Sequence, residues 1–331
     1  MRQLDLFAEY AATPVAPTPS AEPEVPAPLD LPDVLPGQVG LFEPRSLLLG
    51  RARAAVALGQ LDEACRELDT LRARCPDDAA VGREALEIHT LRERLARIDG
   101  PRARQRARAL VELASELERA PEPRASLRRH LLARAGAELR KQHGDTGELD
   151  GRLAGEYLLE AGDLEGAQAS FARAFAADQR ARALFLLADA THLLGDSAAA
   201  RRLYLQALLL DPFEPALRRV RDDGVRSLPE TVRFEVEIDD EAEAWSAPAG
   251  MLLGVLPRPA LEETPAVPPP PEMLPPRRRE ALVRARAFVE ALVAVGTARG
   301  EAVIELRRTM KRLSPQLFGL YMDRVVRSRP V

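Results

Sequence analysis

ARALFLLADATHLLGDSAAARRLYLQALLLDPFE, residues 181–214, follows directly on ELDGRLAGEYLLEAGDLEGAQASFARAFAADQR, residues 148–180, and the second stretch repeats the first with a shift of 33 residues. Gly162, Ala167, Phe171 and Ala174 fall on Gly195, Ala200, Tyr204 and Ala207. A repeat of that period marks an array in which each unit buries its apolar face against the next. Within each unit the small and aromatic residues return three or four positions apart, the spacing of one helical face, and a Gly separates two such faces. The expected architecture is therefore an all-α solenoid of helix-turn-helix units, made to hold other molecules on its surface.

Composition agrees with that expectation. Of 331 residues 46% are hydrophobic, enough for a sizeable core, while only 4% are aromatic, which favours close helix packing over a sandwich or barrel. The formal net charge of −4 excludes general polyanion binding by the whole chain. Charge is nevertheless segregated: residues 230–275 hold 2 basic and 10 acidic side chains, and residues 276–331 hold 13 basic and 5 acidic ones, so the two blocks are expected to attract each other.

Along the chain, residues 1–10 form a short linear motif and residues 11–44 a Pro-rich linker too poor in large apolar side chains to repay ordering. The helical-repeat domain is expected over residues 45–224. Its first pair turns at Gly59 and stops at Pro76. A helix over residues 77–98 ends at Asp99 and Gly100, and helices near 101–120 and 123–143 lead to the repeat pair at 148–214. Residues 225–256 form an acidic segment. There Val232, Phe234, Val236 and Ile238 alternate with Arg233, Glu235 and Glu237, the period of a half-buried strand, with residues 251–256 as a hairpin partner. A second Pro-rich linker, 257–276, is expected to isolate the basic C-terminal helices, 277–331.

The repeat resembles the tetratricopeptide repeat. The unit from Ala181 carries the pattern on Leu184, Leu187, Ala188, Gly195, Ala200, Tyr204, Ala207 and Pro212. The unit from Glu148 carries it on Gly155, Gly162, Ala167, Phe171 and Ala174, with Gln179 where the family usually has Pro, and the pair near residues 45–78 matches more loosely. The resemblance implies a concave groove lined by the first helix of each unit, presenting Leu149, Arg152, Glu156 and Leu159 from one and Arg182, Phe185, Asp189 and His192 from the next. A protein or peptide segment is the implied partner. Glu156 and Asp189 stand where carboxylate-gripping members have Asn, which argues against the tail-binding chaperone mode, and the same charges also fit a solvated face.

At the other end, Gln3, Leu4, Asp5, Leu6 and Phe7 spell QLDLF, which is similar to the pentapeptide by which bacterial replication and repair proteins dock on the β sliding clamp. Leu6 and Phe7 suit an apolar pocket, Leu4 supports them, and the Gln3 amide both donates and accepts. A poorer copy occurs at Gln38–Phe42. A terminal apolar patch is equally compatible with a strap on the chain's own domain. The basic C-terminus offers phosphate contacts, but it has few aromatics for stacking, and pairing with the acidic block explains its charge equally well.

Reaction chemistry finds little support. His89, His130, His143 and His192 are scattered, Cys65 and Cys75 form no CxxC pair, and no Gly-rich phosphate loop is present, so no cofactor, no metal and no enzymatic activity are expected. Residues 145–151, DTGELDG, read as a helix connection. The pairs Asp222 with Asp223 and Asp239 with Asp240 read as solvated turn residues. Lacking an apolar run of about 18 residues or a signal-like start, the chain is expected in the cytoplasm and away from membranes.

Overall fold

The computed structural model describes residues 43–100, 103–259 and 268–327, and Leu48–Val331 forms one compact unit. Among the described residues the chain is all-α, and from Leu61 to Leu210 each helix packs on the next in the chain. The first part comprises α1 (Glu43–Ala57), α2 (Leu61–Arg74), α3 (Ala79–Asp99), α4 (Ala103–Glu116) and α5 (Arg124–His143). The repeat pair comes next as α6 (Ala154–Ala161), α7 (Leu164–Asp178), α8 (Ala181–Leu193) and α9 (Ser197–Leu210). No described helix is long and apolar enough to cross a membrane.

The repeated Gly-Asp dipeptide explains why both pairs turn alike. Gly162 and Gly195 sit at φ 87° and 94°, a left-handed conformation that costs a side-chain-bearing residue about 1 kcal/mol or more, and each ends a helix. The next residue starts the following helix: Asp163 accepts from the Gly166 amide at 2.9 Å and Asp196 from the Ala199 amide at 2.9 Å. Phe171 and Tyr204, equivalent by the 33-residue shift, are both 0% exposed. Each fills the gap between neighbouring helices, and burying an aromatic of this size contributes on the order of 2 kcal/mol. Phe171 can lie flat there because Gly155 faces it; a Cβ at that position would stand 2.6 Å from the ring edge.

Two large cores share this scaffold, with a small third cluster of Leu48, Leu71 and Val81. One gathers Ala52, Leu68, Leu110, Leu131 and Tyr157, and the other runs from Leu153 and Leu158 through Phe171 and Tyr204 to Tyr321. Helix α6 is the common wall, since Tyr157 faces the first core and Leu158 the second.

Beyond α9 the expectations need correction. The alternating segment is not a strand: its first half lies in α11 (Leu228–Phe234), preceded by the short α10 (Asp223–Arg226), and residues 235–238 follow as turn and irregular chain. Leu228, Val232 and Val236 are spaced four apart and are buried together, so the alternating pattern also met the helical period, while Phe234 projects 75% exposed. Pro229 at the start of α11 fits a first helical turn. The hairpin partner expected at 251–256 is also helical: α12 (Ser246–Leu253) is buried from Ser246 to Leu252 and ends at Gly254, φ 81°. A helix apolar on every side belongs inside a core.

Nor are the C-terminal helices isolated. Helices α13 (Pro276–Ala294), α14 (Glu301–Leu313) and α15 (Pro315–Arg327) bring Phe288, Leu292, Met310 and Leu317 into the same core as Phe171 and Tyr204. The expected attraction between acidic and basic blocks is carried, among the described residues, by one ion pair, Arg278 with Glu241 at 3.1 Å. Other arginines of these helices meet backbone carbonyls. Arg286 donates to Leu209 and Leu210 O at 2.7 and 3.0 Å, at the end of α9. Arg284 donates to Leu313 O at 2.6 Å, at the end of α14. A guanidinium fork suits unpaired carbonyls at helix C-termini, where positive charge is favoured by about 0.3–1 kcal/mol.

Replacing Gly155 by Ala is expected to cost about 1–3 kcal/mol in urea unfolding, through forced displacement of the Phe171 ring. In a Phe171→Ala background, itself down by about 3–5 kcal/mol, most of the Gly155→Ala cost should vanish. A cost that persists in that background would show that Phe171 is not the obstacle.

Candidate peptide-binding groove

The residues expected on the groove face divide into three fates. Leu149 and Arg152 are not on a helix. They belong to a two-stranded hairpin, β1 (Glu148–Leu149) and β2 (Arg152–Leu153), in which Glu148 pairs with Leu153 and Leu149 with Arg152. Asp150 and Gly151 turn it with φ 52° and 72°, and two positive φ values in a two-residue loop are what an Asp-Gly hairpin turn requires. Residues 145–151 are thus more than a helix connection, and the Asp-Gly dipeptide is the signal of it in the sequence. As a consequence α6, which comes after the hairpin, has only two turns.

Arg152, Glu156, Leu159, Arg182 and His192 do retain partial exposure. Their charges are mostly engaged with one another. The Arg152 guanidinium lies 4.5 Å from the Tyr157 ring centroid and donates to Glu160 at 2.6 Å, and Arg128 reaches the same carboxylate. Burial pushes the Glu160 carboxyl up, but these two guanidiniums outweigh it and hold the carboxyl below its usual range. Glu156 accepts from the Leu153 amide at 2.9 Å and from Arg182 at 2.6 Å, and Arg182 also donates to Gly151 O at 2.5 Å. His192 contacts the Ser197 hydroxyl at 3.4 Å.

Phe185 and Asp189 cannot face a ligand. Phe185 is 0% exposed, with its ring centroid 6.5 Å from that of Tyr204, and Asp189 is 6% exposed. The chain's own continuation covers this end of α8. After α9 a short 3₁₀ turn, Pro215–Arg219, packs on α8, and the Arg221 amide donates to Asp189 Oδ1 at 2.8 Å. Tyr204 donates to the same oxygen at 2.5 Å. Asp222 is buried rather than solvated. It accepts from Arg201 Nε at 3.0 Å and from the Gly224 and Val225 amides at 3.0 and 3.3 Å, which starts α10. Burial opposes its ionisation, yet the Arg201 bond and the two amides leave its carboxyl below the ordinary value.

The hairpin end remains open. A cavity of about 380 Å³ is lined by Thr146, Glu148, Leu153, Ala174, Asp178, Arg180, Arg182 and Ala183. Arg180 and Arg182 face Glu148 and Asp178 there, with Arg180 Nε 2.5 Å from Asp178 and Arg182 Nη1 3.9 Å from Glu148. Thr146, Glu148, Asp178 and Arg180 are not among the groove residues expected from sequence, because only the hairpin brings 146–153 beside α7 and α8. Gln3, Leu4, Asp5, Leu6 and Phe7, and the second copy at Gln38–Phe42, lie outside the described residues. Comparison of the chain with protein-family models, curated proteins and solved structures finds no match.

The buried carboxylate predicts a pH signature. Burial raises the Asp189 carboxyl above its ordinary value despite the donors Tyr204 and Arg221. A carboxyl with a raised folded pKa weakens the fold where it is ionised, and that penalty is relieved as pH falls through the raised value. Asp189→Asn keeps an acceptor oxygen and is expected to melt no lower than the unaltered chain at neutral pH. The difference between the two should shift toward the unaltered chain as the pH is lowered toward about 4. Asp189→Ala strands the buried Tyr204 hydroxyl and the partly buried Arg221 amide and is expected to cost about 2–3 kcal/mol at neutral pH.

Proposed function

We propose that the chain is a non-catalytic protein–protein interaction adaptor whose tetratricopeptide-like groove holds a segment of another protein. The single observation that carries this reading is the open, mixed-charge cavity at the junction of the two repeats, bounded by Arg180, Arg182, Glu148 and Asp178. Arrays of stacked helix pairs characteristically offer such concave surfaces to extended segments. A partner segment would exchange the pairs Arg182 with Glu148 and Arg180 with Asp178 for its own charges, so a peptide carrying both signs suits the site. Arg152 on β2 and Glu156 and Leu159 on α6 extend this surface, and His192 marks its far end beside the covered part of α8.

A second reading rests on the QLDLF pentapeptide at Gln3–Phe7: a DNA replication or repair accessory protein that docks on the sliding clamp. The two readings are compatible, since one end would bind the ring while the solenoid holds another protein. Nucleic-acid contact through the C-terminal helices is the weaker part of this reading, because Arg278, Arg284 and Arg286 are engaged within the fold.

Affinity capture with the full chain, compared with an Arg182→Glu variant, tests the groove. Partners lost at least about tenfold with the variant support it, given the worth of a desolvated charge pair, and an unchanged set overturns it. A labelled peptide of residues 1–12 tests the second reading. It is expected to bind purified sliding clamp and to lose binding when Leu6 and Phe7 are both replaced by Ala.

A further inference from the structure

A second cavity, also of about 380 Å³, lies among the C-terminal helices, between α12, α13 and α15. Leu252, Leu256 and Leu292 line it as buried apolar side chains, and Val325 adds a half-buried one. Arg258 and Arg324 line the same cavity and are open to solvent, with Tyr321 between α15 and the core.

Both cations are there for a structural reason. Helix α12 stops at Gly254, and Arg324 Nη1 donates to Met251 O at 3.1 Å and to Leu252 O. Helix α13 ends nearby, and Arg258 Nη2 donates to Leu292 O. Two helix C-termini thus draw two guanidiniums to one apolar hollow. A guanidinium carries five N–H donors, so the Leu292 contact through Nη2 leaves Arg258 with donors for a second acceptor. Partial desolvation holds the Arg258 pKa below the ordinary value, with Tyr321 acting to raise it and the like-charged Arg324 to lower it. Cations gathered beside an apolar surface are relieved by an anion that brings its own apolar part.

We infer that this cavity binds an aliphatic carboxylate, with the carboxylate held by Arg258 and the hydrocarbon lying on Leu252, Leu256, Leu292 and Val325. The volume is at the small end of ligand sites, about 300–1,000 Å³, and suits a short chain. Such a group is offered by a free short fatty acid or by the last residue of a peptide. This site is separate from the groove proposed above and does not depend on it.

Isothermal titration of the full chain with octanoate and with octanol, and with the tripeptide Ala-Ala-Leu bearing a free or an amidated carboxyl, tests the inference. Binding by octanoate but not octanol, or by the free but not the amidated tripeptide, supports it and names the source. Arg258→Gln, which keeps an amide donor and loses the charge, is expected to weaken that binding about tenfold, and Arg308→Gln, outside the cavity, to leave it unchanged. Failure of both carboxylates to bind overturns the inference, as does equal binding of the neutral analogues or an Arg258→Gln variant that folds and binds as before. Should that variant not fold, the contrast between carboxylate and neutral analogue on the unaltered chain still decides.

Discussion

The contact of the Phe171 ring with Gly155 sets the spacing on which both cores depend. Helix α6 has eight residues, and it must present Tyr157 to one core and Leu158 to the other. A short helix can serve as a wall on both sides only if its neighbour α7 comes close, and the absence of a side chain at Gly155 permits that approach. The hairpin of residues 148–153 anchors the same wall from its N-terminal end: the Tyr157 hydroxyl donates to Leu149 O at 2.8 Å. Loosening this junction would separate the repeat pair from α1–α5, since α6 is the wall that both cores share.

Arginine has a second, distributed role. Of the basic residues only Lys141 and Lys311 are lysines. In the C-terminal part the guanidiniums terminate helices: Arg286 at α9, Arg324 at α12, Arg258 at α13 and Arg284 at α14. A planar fork can satisfy two carbonyls at once, and a single ammonium does so less well. This explains why a block with net positive charge folds onto the core without matching each arginine to a carboxylate. It also shows how a sequence can look suited to phosphate while its charge is absorbed by backbone oxygens.

The segment beyond α9 shapes the groove. Asp189, Tyr204 and Arg201 grip the amides and carboxylate of residues 221–222, so the chain itself lies over one end of α8, and the accessible surface shrinks to the hairpin side.

The sequence by itself determined the all-α class, the repeat pair with its Gly-Asp turns, and the burial of Phe171 and Tyr204, because helical period and turn chemistry are local and recur at a fixed interval. It also marked the ends of α3 and α5 at Gly100 and Gly144. Only the tertiary structure decided the rest. Val232 satisfies both the strand and the helix period, and the choice fell to helix as far as Phe234, where Leu228 completed a face against a core, with Val236 buried just past its end. Asp189 and Asp222 look like surface carboxylates until Tyr204, Arg221 and Arg201, 15 to 32 residues away, supply donors, and the C-terminal arginines read as phosphate contacts or partners of the acidic block until helix ends are brought beside them. Such pairings depend on long-range packing, which no local periodicity encodes.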